Sequence, residues 1–330
     1  MENIKFKENF NNCRTSIYKP ETRQFLLSRI AGSEQETDMS VPSNCDGFGR
    51  IHHFRRNVDK WVQDPLPNDP VCKALEIPYT DVLEAQVFQI ASCNAHCWYC
   101  FVPDELKRGK MVNAKWLTAE QMVELYKKSD TDIRVIDLSG GNPELAPEWT
   151  LDTMKALERN ELQNKVYLLT DDTLTTDYAF EYLSKEELSY MASYRNFGKV
   201  GCFKGFDAHS FAFNSKLPEN MYEKQFERFE RYVDMGLDIY GYVTLTSDNY
   251  DGIEEKMGKF VDRLQKIHPI LPLRTVPLKI FIFTPTGSRL NDRYSMALEN
   301  QTRAIKAWKV ELSKRYSKEQ LAGRISDNTY

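Results

Sequence analysis

No stretch of this chain approaches the roughly 20 consecutive apolar residues that a bilayer-spanning helix requires. Its opening, Met1-Glu-Asn-Ile-Lys-Phe-Lys-Glu, lacks the apolar core of a secretory signal. An excess of basic charge is also missing. The 44 Lys and Arg stand against 48 Asp and Glu, a net charge of −4, which leaves no overall electrostatic footprint for nucleic acid. Cysteine is sparse: seven in 330 residues. That odd number, in a chain long enough to bury a core without staples, excludes a disulfide framework. With 41% hydrophobic and 28% charged residues, the expectation is a globular cytoplasmic protein whose thiols stay reduced, with neither membrane nor polynucleotide as partner.

What is present is concentrated. Cys93, Cys97 and Cys100 lie in Ser92-Cys-Asn-Ala-His-Cys-Trp-Tyr-Cys-Phe101, and C-x3-C-x2-C spacing supplies three thiolates from one short loop. A [4Fe-4S] cluster normally takes four, so either a distant ligand completes the set or one iron is left open. Zinc is a rival reading, with His96 as the fourth ligand. A non-catalytic iron-sulfur electron carrier or zinc-binding protein would explain the cysteines by themselves. The motif resembles that of the radical SAM superfamily. There, the open iron chelates S-adenosylmethionine and passes an electron to its sulfonium, yielding methionine and a 5′-deoxyadenosyl radical.

From about Leu83 onward, short β-branched and aromatic runs alternate with segments of helical period, the pattern of a parallel α/β fold. Six strands are predicted, at 83–91, 134–139, 165–170, 199–204, 239–246 and 277–284. Capping boxes at Thr118/Gln121 and Ser184/Glu187 start helices. Tyr222, Phe226, Phe229 and Val233 recur at helical spacing before Gly236, and Ile253, Met257, Phe260, Leu264 and Ile267 do so in the next segment. A last helix is predicted over 297–316. Six β/α units match the partial (β/α)6, TIM-like barrel that the resemblance implies, over 83–317. Residues 1–82 read as an N-terminal accessory region over part of the barrel, at its mouth, and 318–330 as a tail. Cys13, Cys45 and Cys72 are too far apart for a compact cluster and read as free thiols, and His52-His53 as a surface turn.

In parallel barrels the chemistry sits at the carboxyl ends of the strands, and the candidate residues fall there. The resemblance puts Tyr99 at the family's aromatic position, its backbone against the adenine. It likens Ser139-Gly140-Gly141-Asn142-Pro143 to the family's Gly-Gly-Glu turn, which binds the methionine amine, with Asn142 where the acid belongs and Glu144 two positions on. Adjacent glycines let a backbone approach closely. Asp171 or Asp172 would meet a ribose hydroxyl, or cap a helix. Lys204 would pair with the methionine carboxylate, leaving Asp207 for substrate. Thr244 and Thr246 are same-face candidates on the fifth strand, and Arg274 and Arg289 are candidate anchors for an anionic substrate. The basic loop 103–111 would meet a phosphate, a carboxylate or an acidic electron donor. The resemblance is nearest in style to the activating-enzyme-like branch. It implies a reductant such as flavodoxin or ferredoxin, and either a small-molecule or peptide substrate or a glycyl-radical partner protein.

Overall fold

The computed structural model describes residues 2–129, 131–249 and 251–330, with residues 2–5 as backbone alone. Ten strands form: β1 (Tyr18–Lys19), β2 (Gln24–Ser28), β3 (Gly49–Arg55), β4 (Val82–Gln89), β5 (Ala114–Thr118), β6 (Val135–Ser139), β7 (Tyr167–Asp172), β8 (Phe197–Phe203), β9 (Ile239–Thr244) and β10 (Thr275–Leu278). Seven make one curled sheet in the order β10-β9-β8-β7-β6-β4-β3. Its pairs from β4 to β10 are all parallel, while β3 runs antiparallel to β4. The six parallel strands correspond to the six predicted from periodicity; five are displaced by two residues at most, while the sixth, predicted over 277–284, forms only over Thr275–Leu278 and gives way to a short helix at Thr284–Gly287.

Side chains alternate across a sheet, and the two faces here have different partners. Phe88, Ile136, Leu138, Leu168, Phe203 and Val243 pack into the large core that the flanking helices complete. Leu83, Ala85, Val135, Tyr167, Leu169 and Val200 form a smaller cluster on the opposite, inner face. The predicted helical stripes are core: Phe226, Phe229, Ile253, Met257, Phe260 and Leu264 are buried, with Tyr232 in place of the half-buried Val233. Both capping boxes form. The long helix predicted over 297–316 runs Asp292–Arg315, five residues earlier at its start because Asn291 caps it through Tyr294 N, and a short helix, Lys318–Ala322, follows it.

The N-terminal region divides. Residues 49–55 are the seventh strand of the main sheet, and the helix Asn68–Ala74 sets Val71 and Ala74 against the inner cluster near the strand starts. That helix covers the end opposite the cysteine loop, whereas Gly49 pairs with Phe88 near the strand end that bears it. Earlier residues do reach the mouth: β2 pairs with β5 in a small separate sheet, and Asp38 accepts from Thr284 N at 2.8 Å. Arg14 clamps the helix Glu2–Thr15 to the loop after β6, donating to the Leu145 carbonyl and to Glu148, each at 2.9 Å. Among the described residues, no helix is long and apolar enough to cross a membrane.

Candidate active site

β4 ends at Gln89 and delivers Cys93, Cys97 and Cys100 to the carboxyl edge of the sheet. All three thiols are free and half-buried. Burial and the neighbouring Cys97 push the Cys93 thiol up to about 12. The loop is held from several sides. Cys93 N donates to the Lys107 carbonyl at 3.2 Å and His96 N to the Ser215 carbonyl at 2.9 Å. Arg289 Nη1 donates to the Cys100 carbonyl at 2.7 Å. Trp98 Nε1 donates to Asn214 at 3.0 Å, and Asn214 in turn accepts from Thr246 at 2.7 Å. Tyr99 Oη lies 2.9 Å from Thr244 Oγ1, so Thr244 at the end of β9 holds one aromatic residue between the cysteines directly, and Thr246, just beyond the strand, holds the other through Asn214.

The glycine turn packs directly beneath this loop. Gly140 and Gly141 have φ of +61° and +44°, and a Cβ on Gly141 would sit 2.3 Å from the carbonyls of Ile90 and Ser92. Left-handed backbone and sub-contact spacing both demand glycine there. Asn142 N donates to the Ser92 carbonyl at 2.7 Å. Its buried side chain donates to Asn94 at 2.8 Å and accepts from Glu144 N at 3.3 Å. The Asn142 amide therefore ties the turn to the cysteine loop.

Glu144 points the other way. It is buried, accepts from Lys199 Nζ and from Tyr232 Oη at 3.0 Å, and Lys199 lies 3.6 Å from Asp172. Burial raises the Glu144 carboxyl. Burial also opposes a charged Lys199, but Glu144 and Asp172 outweigh it and its pKa is raised. This network sits on the helix side of the sheet and anchors the turn from behind.

On the inner face Asp171 accepts from Ser139 at 2.6 Å. Asp172 instead accepts from Leu174 N at 2.6 Å in a local turn. Neither caps a helix, since β7 includes both and the next helix begins at Tyr178. The Lys204 ammonium feels Tyr99, Cys202, Cys97 and Cys93, which overcome burial and raise its pKa well above the usual value. Tyr99 lies within the cysteine loop, Lys204 lies near two of its thiols, and Asp171 is in turn near Lys204.

Other predicted residues have structural work. Asp207 caps the helix Ala208–Ser215, accepting from Ser210 N at 2.7 Å, and pairs with Lys256 at 3.1 Å. Arg274 is buried at the start of β9, pairing with Asp238 at 2.5 Å and lying 4.4 Å from the Tyr330 ring. That is the end of the sheet away from the cysteines, so it is no substrate anchor at the mouth. Lys107, read as part of a basic surface loop, is buried and donates to the Val102 carbonyl at 3.1 Å, with its charge near Cys93 and Cys100. His52 is half-buried against Arg50, its pKa depressed to about 3 by burial and by that guanidinium, while His53 pairs with Glu84 at 2.9 Å. Cys13 Sγ lies 4.0 Å from the Cys93 carbonyl, a proximity that 80 residues of separation conceal.

Among the described residues, no three His, Cys, Asp or Glu side chains gather as they would about one metal ion, and His96 is exposed. A cubane holds its thiolates on separate irons and does not require them to meet at one point. The loop's partly open thiols, the buried cation of Lys107 and the close-packed glycine turn fit such a cluster.

The sequence profile described as Radical SAM superfamily matches residues 89–259. The chain belongs to the radical SAM superfamily. Those residues span the cysteine loop, the glycine turn and the strands that carry Asp171 and Lys204. Among solved structures, a similar one is Streptococcus suis SuiB bound to precursor peptide SuiA, 16% identical, TM-score 0.40, covering 55% of this chain and 36% of that one. Another is the protein anSMEcpe with bound AdoMet, 14% identical, TM-score 0.37, covering 57% of this chain and 47% of that one. This chain thus spans less than half the length of either. A search of curated protein sequences finds no match.

Proposed function

We propose that this chain is a radical SAM enzyme that acts on a small molecule or peptide held on the inner face of its own sheet. With a [4Fe-4S] cluster and S-adenosylmethionine bound, the site would be supplied with a 5′-deoxyadenosyl radical able to take hydrogen from substrate. Cys93, Cys97 and Cys100 would hold the cluster. Tyr99, Gly140, Gly141, Asn142, Asp171 and Lys204 would border the cofactor, with the buried Lys204 cation as the partner for a carboxylate. The protein contributes position and exclusion of water, while the cofactors carry the hard chemistry.

The observation that carries the reading is the joining of the cysteine loop to an inner face that is polar at its upper end and lined by Gln89, Asp137, Asp171 and Cys202. Such a lining suits a bound substrate better than plain structural packing, which lower on the same face is apolar. An activating enzyme forming a glycyl radical on a partner protein is the second reading. The covered inner face favours the first. A cytoplasmic site and a flavodoxin- or ferredoxin-like reductant belong to this proposal, as does the assignment of 83–317 as the catalytic barrel.

The test is anaerobic reconstitution with iron and sulfide, reduction, and incubation with S-adenosylmethionine. Release of 5′-deoxyadenosine supports the reading, and its absence from protein with a full cluster overturns it. Deuterium transfer into 5′-deoxyadenosine from one compound of a metabolite pool would separate substrate from partner protein.

A further inference from the structure

Among the buried polar atoms without a hydrogen-bond partner, those of three side chains gather near the upper end of the inner face. Gln89 is fully buried, and neither its Nε2 nor its Oε1 has a hydrogen bond; Asp137 Oδ1 and Arg50 Nε are likewise unpaired. Native proteins leave few such atoms. The register places them together. Val87 pairs with Arg50 on one side and Asp137 on the other, and Gln89, two residues further along, pairs with Ser139. Cross-strand partners and i, i+2 neighbours share a face.

The three do not neutralise one another. Arg50 acts electrostatically on Asp137 and Asp171, yet it forms no ion pair with either within 4.0 Å, its one side-chain hydrogen bond being to His52 at 3.1 Å. Its guanidinium lies 5.3 Å from the ring of Phe101, the residue after the last cysteine. The group is therefore roofed by the cysteine loop. Asp171 has Lys204, Arg50 and Lys199 as nearby cations. Asp137 has Arg50 alone, and burial followed by the like charge of Asp171 drives its carboxyl well above the usual range. What this place lacks is a cation beside Asp137 and an oxygen acceptor for Arg50 Nε and Gln89 Nε2.

Resting on the function proposed above, we infer that Gln89, Asp137 and Arg50 form a substrate subsite for an amino-acid-like group, a protonated amine flanked by a carbonyl or carboxylate oxygen. The amine meets Asp137 and the Gln89 amide oxygen. The oxygen meets Arg50 Nε and the Gln89 amide nitrogen. Asp137 lies two residues below Ser139, about 7 Å down the strand, while Gln89 sits beside Gly140, so the subsite runs from the glycine turn inward.

The test is direct binding to anaerobically reconstituted protein, by thermal shift and isothermal titration. The probes are the proteinogenic L-amino acids, their carboxamides, the matching decarboxylated amines, and short peptides with free or acetylated N-termini. S-adenosylmethionine is titrated separately. At least one probe bearing both amine and oxygen should bind the wild type, and Asp137→Asn should weaken it about tenfold or more, while S-adenosylmethionine affinity changes by less than about twofold. Gln89→Met provides a second variant should Asp137→Asn fold poorly. Preference for free amino acids or for unblocked peptides tells which source supplies the group. The inference is overturned if no probe binds, which would leave these atoms to water, if binding survives both variants, or if S-adenosylmethionine affinity falls in parallel, which would assign the subsite to the cofactor. Probe binding without S-adenosylmethionine cleavage would refute the proposed function alone; cleavage without probe binding would refute the subsite alone.

Discussion

Arg289, at the end of the short helix after β10, reaches back 189 residues to donate to the carbonyl of Cys100 at 2.7 Å. A second, longer bond of 3.4 Å runs to the Trp98 carbonyl. The last strand's loop is thereby fastened to the loop that would hold the metal. Nη1 makes both bonds while Nη2 lies 3.7 Å from Asp104, a spread of contacts over two nitrogens that a single ammonium does not reproduce. Arg289→Lys should leave the fold intact and quicken cluster loss. Bleaching of the visible absorbance by a chelator, compared with wild type, is expected to be several-fold faster. An unchanged rate would show that the bond is incidental.

Cys93→Ala, Cys97→Ala and Cys100→Ala should each abolish the cluster. Variants of Cys13, Cys45, Cys72 and Cys202 should keep the four-iron signal. Cys13 is the demanding case, because its sulfur lies beside the Cys93 backbone. Iron and sulfide analysis reads the result: loss in Cys13→Ser would make this thiol a ligand, and well over about four iron atoms per chain would refute a single cluster.

Asn142 and Glu144 can be separated by stability. Glu144→Gln leaves the buried Lys199 with Asp172, 3.6 Å away, as its remaining carboxylate, and breaking a buried ion pair costs up to about 3 to 5 kcal/mol. Asn142→Ala removes neutral hydrogen bonds and should cost about 1 to 3 kcal/mol. Urea denaturation of both variants is expected to show that order. Titration with S-adenosylmethionine then asks whether Asn142 also touches the cofactor. If it does, Asn142→Ala weakens binding more than Glu144→Gln.

Asp64 gives the protein a pH dependence of known sign. Burial raises its carboxyl to about 7, against the hydrogen bonds it accepts from Leu66 N and Tyr242. The folded state therefore holds a proton there that the unfolded chain has released above about pH 4. This contribution to stability is full below that pH and declines until the pH passes about 7. Asp64→Asn should flatten that part of the profile and gain at pH 8, by at most about 4 kcal/mol. Denaturation midpoints at pH 5 and pH 8 check it, and parallel profiles would contradict it.

Much of the fold could be read directly from the chain. The six parallel strands announce themselves because β-branched runs alternate with helical periods, and Thr118 and Ser184 mark helix starts by chemistry confined to four residues. The cysteine triplet is legible for the same reason: its spacing is local. β3 escaped detection, since Gly49–Arg55 has a mixed pattern and pairs with β4 across about 30 residues of intervening chain. The tertiary roles of Lys107, Arg274 and Asp207 were equally hidden, because charged residues in loops look alike until burial or a partner is known.

The division at the site follows the same physics. Residue type and local spacing determined which side chains can bind a metal and which backbone can turn as tightly as Gly140-Gly141. Only the tertiary structure decided that Asn142 faces the cysteine loop while Glu144, two residues on, is drawn to Lys199 on the other side of the sheet. It alone brings Arg50 from the antiparallel edge to the face shared by Gln89 and Asp137. Strand register and burial set those relations, and both arise from contacts between segments distant in sequence, where no local pattern carries the information.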